Sequence, residues 1–95
     1  MNQPSFSEFE AAARREGYDE IVERIWAAGA VAAPHQHPFA VKALVVAGDL
    51  WLTEGDATRH LRPGDRFEVA AAVPHAERYG AAGATVWAAR RHAKD

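Results

Sequence analysis

From Asp19 onward the chain is cut into apolar runs of strand length, each closed by Gly, Pro or Asp, and this punctuation limits the fold more than any other feature. The runs fall at 20–28, 38–47, 49–54, 57–61, 66–69, 73–79 and 84–91. Between them stand Gly29, Gly48-Asp49, Glu54-Gly55-Asp56, Pro63-Gly64-Asp65 and the segment from Gly80 to Gly83. Turn signals at such close intervals predict an all-β antiparallel sandwich or barrel. Gly48-Asp49, flanked by Leu44-Val45-Val46 and Leu50-Trp51-Leu52, reads as a hairpin turn. Only the beginning of the chain differs. Ser5 followed by Glu8 is a capping box, Phe6, Phe9, Ala12 and Ala13 form one apolar face, and Gly17 supplies a stop. The expected organisation is one domain, with a short helix in 1–18 packed on a barrel spanning 19–92.

With 95 residues there is no room for a second domain. A hydrophobic share of 48% with 25% charged residues belongs to a globular protein with a packed core. The formal net charge of −2 provides no basic field, so neither nucleic acid nor an anionic membrane surface is expected as a partner. Arg90-Arg91 with His92 and Lys94 reads as a solvated tail. Cysteine is absent, which excludes disulfides and thiolate chemistry and leaves imidazole and carboxylate as the metal-binding groups. No apolar run approaches the ~20 residues of a spanning helix, and Met-Asn-Gln-Pro-Ser lacks the basic start of a signal peptide. A cytoplasmic protein is expected, and a small domain of this kind gains stability by forming a homodimer.

The chemistry is carried by His35-Gln36-His37 and by His75 in Val73-Pro74-His75. One residue between two histidines is ligand spacing on a strand, where alternate side chains share a face. A third imidazole from a neighbouring strand completes a facial set with open positions, which suits Zn, Cu, Fe or Ni in a reactive site. The same parity puts Phe39, Val41, Ala43, Val45 and Ala47 on the histidine face and turns Lys42, Leu44 and Val46 outward. Phe39 and Val41 are then pocket lining. On the late strand His75 shares its face with Val73, Glu77 and Tyr79. Glu77 is a surrogate ligand, a general base or a rim residue paired with Arg78, and Tyr79 carries a hydroxyl able to donate to a bound oxyanion. Arg24 or Arg66 can anchor a carboxylate if a bulge turns it inward, and the residues do not choose between them. His60 and His92 are expected to face solvent. Trp26, Trp51 and Trp87 are expected in the core, at an interface or, for one of them, in the pocket wall.

These residues resemble the small single-domain cupins, a barrel group defined by two motifs. In the first, Gly29, His35, His37 and Gly48 stand in register and Val41 holds the Glu position. In the second, Gly64 and His75 match, whereas Ala70, Ala72 and Tyr79 replace Pro, Gly and Asn. The resemblance runs from about Gly29 to Tyr79. It implies a cupin-type double-stranded β-helix, or jelly-roll barrel, with a divalent transition metal (Fe, Ni, Mn, Cu or Zn) held by His35, His37 and His75. Without the motif carboxylate, three neutral imidazoles and a divalent ion carry a net charge of +2.

Three functions fit the residues. One is a metal-dependent enzyme of dioxygenase type acting on a small organic molecule, with Glu77 and Tyr79 as the named helpers. Another is a binding or sensing cupin that holds a metal or small ligand without turning it over. A third is a metal-free barrel whose imidazoles bond to one another or to water. One fold hosts all three, so the choice belongs to the site.

Overall fold

In the computed structural model of the chain, residues 3–92 are described; Lys94 of the expected tail and the first two residues of the expected helical segment lie outside them. Helix α1 spans Phe6–Arg15, and the strands are β1 Glu20–Trp26, β2 Val31–His35, β3 Phe39–Glu54, β4 Ala57–Leu61, β5 Arg66–Val69 and β6 His75–His92. The capping box is formed. Ser5 Oγ accepts from the Glu8 amide at 3.1 Å, and Glu8 Oε1 accepts from the Ser5 amide at 2.7 Å.

β3 and β6 are long bent strands, each contributing to two sheets. In the first sheet the antiparallel order is β1, the late half of β6, the early half of β3, then β5. In the second it is β2, the early half of β6, the late half of β3, then β4. The inner faces meet in one core, with Ala43, Val45, Val86 and Ala88 from the first sheet against Leu50, Leu52, Leu61 and Tyr79 from the second. This is a jelly-roll barrel with a short N-terminal helix, the all-β class expected. On the outside of the first sheet, Phe9 and Ala13 of α1 cover Leu44 and Ala89, and Trp87 stands edge-on to Phe6. No helix among the described residues is long and apolar enough to cross a membrane.

The expected hairpin at Gly48-Asp49 is a bend. Leu44-Val45-Val46 and Leu50-Trp51-Leu52 do not pair with each other; both pair with β6, as Leu44↔Trp87 and Leu52↔Glu77 show. The expected strands 38–47 and 49–54 are therefore one strand, as are 73–79 and 84–91. Register shifts between Val45 and Ala47 and between Gly48 and Leu50 break the alternation. Ala47 is consequently exposed, against the parity expectation, and the inward positions move to Leu50 and Leu52. Gly48 makes the bend with φ 68°, and a side chain there would run into the backbone of Gly83 and Ala84. The expected strand 20–28 stops at Trp26, and a separate strand, β2, precedes the histidine pair.

Candidate metal centre

Three chain segments bring the imidazoles together. His35 is the last residue of β2 and lies directly opposite His75, the first residue of β6. His37 stands past the end of β2, so the two motif histidines straddle a strand end instead of sharing a strand. The Ala72 amide donates to the His37 carbonyl at 2.8 Å and ties the two segments. The ring centroids are 4.7 Å apart for His35 and His37, 4.3 Å for His35 and His75, and 5.2 Å for His37 and His75. One ring nitrogen from each falls within 4.8 Å of the other two.

Backbone hydrogen bonds set the tautomers. His35 Nδ1 donates to the Ala33 carbonyl at 2.7 Å, and His75 Nδ1 donates to the Val73 carbonyl at 3.0 Å. In both rings the lone pair is then on Nε2, the arrangement in which a ligating histidine is oriented through its other nitrogen. His37 lies flat on Phe39, with centroids 4.7 Å apart and planes at 12°. Burial, then the neighbouring His35 and His75, then Arg90 and Arg24, hold its pKa below the usual imidazole value. His37 is therefore neutral at neutral pH, with a lone pair free.

Glu77 lies beside this set. Its Oε2 is 3.8 Å from His35 Nε2, too far for a hydrogen bond, and it is buried without a partner. Burial pushes its pKa up, against the pull of His75, His35 and Arg24. A buried acceptor left without a donor is costly in a folded chain, and three lone-pair nitrogens cannot supply one. A cation held by the three nitrogens would place a positive charge near the carboxylate, so this donor set fits a divalent metal. Burial, and then the charge of Glu77, push the Tyr79 hydroxyl far above its ordinary value, so it is held as a donor.

The cavity that His37, His75 and Glu77 face has a volume of about 60 Å³. Phe39 and Val41 line it, together with Trp26, which stacks on Tyr79 at 4.6 Å. Arg24 also lines it, with no bulge: β1 pairs with β6 in unbroken register from Glu20↔Arg90 to Trp26↔Ala84. Arg66 lies away from it, beside the groove under α1. Arg90, read from the sequence as part of a solvated tail, faces the same cavity. The signal for it was present in the alternation of Ala84, Val86, Ala88 and Arg90 along the last strand. Lys42 points outward, as parity required, and pairs with Glu16 at 2.6 Å. His60 and His92 are outside the imidazole set, paired with Asp49 and Asp19. Trp51 is stacked between His60 and Arg78 on the outside of the second sheet.

No family model matches the sequence, and no curated protein matches it significantly. Solved structures do. An RmlC-like cupin from Shewanella frigidimarina is 22% identical, with a TM-score of 0.72 over 83% of this chain and 70% of that one. KdgF from Halomonas sp. is 24% identical, with a TM-score of 0.66 over 77% of this chain and 69% of that one. The DMSP lyase DddQ from Ruegeria pomeroyi is 28% identical, with a TM-score of 0.65 over 75% of this chain and 36% of that one. At these identities the likeness is one of fold.

Proposed function

The barrel has the cupin fold, and on that premise we propose that the protein is a metal-dependent enzyme that moves a proton on a small organic molecule. The observation that carries this reading is the buried, unpartnered Glu77 carboxylate beside three convergent imidazoles. His35, His37 and His75 would hold a divalent transition ion, which supplies Lewis acidity and open positions for the substrate.

Glu77 is the proton carrier. Burial raises its affinity for a proton, which brings a carboxyl toward the range where it can both accept and return one near neutrality. Tyr79, held protonated, donates to negative charge developing on the substrate. Phe39, Val41 and Trp26 exclude water from the reacting end. Dioxygenase-type oxidation is the leading enzyme class from sequence, and turnover that persists without O₂ separates the two readings.

Elemental analysis of untagged protein is the first test, wild type against the His35→Ala/His75→Ala double variant. Near-stoichiometric metal that is lost in the variant supports the centre. No metal in wild type after reconstitution with Fe(II), Ni(II) and Zn(II) rejects it. A binding or sensing cupin would show saturable ligand affinity with no product. The homodimer expected of so small a domain is proposed for the assembly, and sedimentation equilibrium tests it.

A further inference from the structure

Two guanidinium groups share the cavity with the imidazole set, and each is held flat by an aromatic ring. Arg24 has its Cζ 4.6 Å from the Trp26 ring centroid, and among the described residues no carboxylate lies within 4 Å of it. Arg90 has its Cζ 5.1 Å from the Phe39 ring, which itself lies on His37. It gives one nitrogen to Glu20 Oε1 at 3.3 Å, leaving other donors of its fork uncommitted. Among the cavity-lining residues the only acid is Glu77, against two arginines and two histidines.

We infer that the ligand of this site is a small organic acid whose carboxylate is bound by Arg24 and Arg90, with its reacting end at His37, His75 and Glu77. The inference deepens the proposed function and rests on it for where the reacting end lies. Charge favours an anion: the lining is cationic already, and a divalent ion adds to the excess. Geometry favours a planar one, because the guanidinium fork matches a carboxylate through two parallel hydrogen bonds. Size favours a small one. The cavity is only about 60 Å³, so one end of a ligand enters. The other end stays at the mouth, where Arg24 is exposed.

The test is titration calorimetry of Zn(II)-loaded and metal-free protein with acetate, malonate and benzoate, their neutral amides, and inorganic phosphate. Arg24→Gln is the main variant, since its side chain is exposed. Arg90→Lys keeps the charge beside Glu20 and removes the fork. At least one acid is expected to bind wild type about tenfold or more tightly than its amide and than phosphate. Arg24→Gln is expected to lose about tenfold or more of that affinity, with melting temperature and zinc content unchanged. Equal binding of acid and amide, full affinity in Arg24→Gln, phosphate binding as tight as any acid, or no acid binding at all would each overturn the inference. Arg24-dependent acid binding by a protein that takes up no metal would sustain it and reject the metal centre instead.

Discussion

Glu77 Oε2 faces His35 Nε2 across 3.8 Å, beyond hydrogen-bond reach, and has no hydrogen-bond partner among the described residues. A carboxylate held this way is kept for something other than packing, because burial without a partner costs stability. Glu77→Gln is expected to lower turnover by about 100-fold or more while leaving bound metal unchanged. Steady-state rates alongside elemental analysis check this. Loss of metal in the variant would make Glu77 a ligand, and wild-type turnover would remove it from the chemistry.

A metal that binds only the folded chain stabilises it. At a free concentration 100 times the dissociation constant, the gain is about 2.7 kcal/mol. Calorimetric scans of wild-type protein with Zn(II) and with chelator should differ accordingly, and His35→Ala/His75→Ala should show no difference. A wild-type melting temperature that ignores zinc contradicts the centre.

Ala72 holds φ at 64°, the only non-glycine residue among those described with a positive value, and it occupies the second-motif position where the cupin pattern has Gly. A side chain in that region costs about 1 kcal/mol. Ala72→Gly is expected to raise stability by about that amount, which is roughly 4–8 °C in a domain of this size. Thermal melts decide it, and an unchanged or lower melting temperature would show that the loop is not strained.

Three exposed carboxyls sit below their ordinary values. Hydrogen bonds from the Ser5 backbone and hydroxyl lower Glu8, one from Lys42 lowers Glu16, and one from the His92 ring lowers Asp19. Each binds protons more weakly in the folded chain, so its contribution is complete above the ordinary value, 4.5 for Glu and 3.8 for Asp. It is lost as pH falls through the lower folded value. Glu77 has the opposite sign. Its raised value means that protonation stabilises the folded chain as pH falls through it. Metal-free wild type is therefore expected to lose stability in acid below about 4.5. Any advantage of Glu77→Gln is expected to be largest at neutral pH and to shrink on acidification. Urea unfolding across pH measures both, and an advantage that grows in acid contradicts the assignment.

Gly48 crosses β6 where a Cβ would meet the Gly83 carbonyl and the Ala84 Cα, in a conformation that disfavours any side chain. Gly48→Ala is expected to destabilise by on the order of 3 kcal/mol. Denaturant unfolding tests this, and a loss under about 1 kcal/mol would mean that the crossing relaxes.

The same glycine marks where the sequence was misleading. Apolar runs on both sides of Gly48-Asp49 are what a hairpin requires, and local pattern has no means of showing that both runs pair with a third strand far along the chain. The all-β class and the inward positions up to Val45 were legible, because alternation reports burial directly. Beyond Val45 the bulge shifts the count, and Ala47 was misplaced for that reason. The grouping of the three histidines was legible from spacing. Arg90 was missed although the alternation of Ala84, Val86, Ala88 and Arg90 carried its signal, because a basic residue near the end of a chain looks solvated until the strand carrying it is known to pass the cavity. That Glu77 lacks a partner is a property of its surroundings and has no sequence signal.

β6 is hydrogen-bonded to β1, β2 and β3, and it carries His75, Glu77, Tyr79 and Arg90. It is also the last strand to be synthesised. Until it emerges, β1 and β2 have no neighbour and the early and late halves of β3 lack their main pairing, so little of the sheet can form as the chain grows. Folding must then be late and all-or-none, limited by closing long loops, with hydrophobic strands waiting unpaired and open to aggregation. A chain ended before His75 keeps only the β3–β4 and β3–β5 pairings and should show little protection of its sheet amides in hydrogen exchange, whereas strong protection there would reveal an earlier foldable unit.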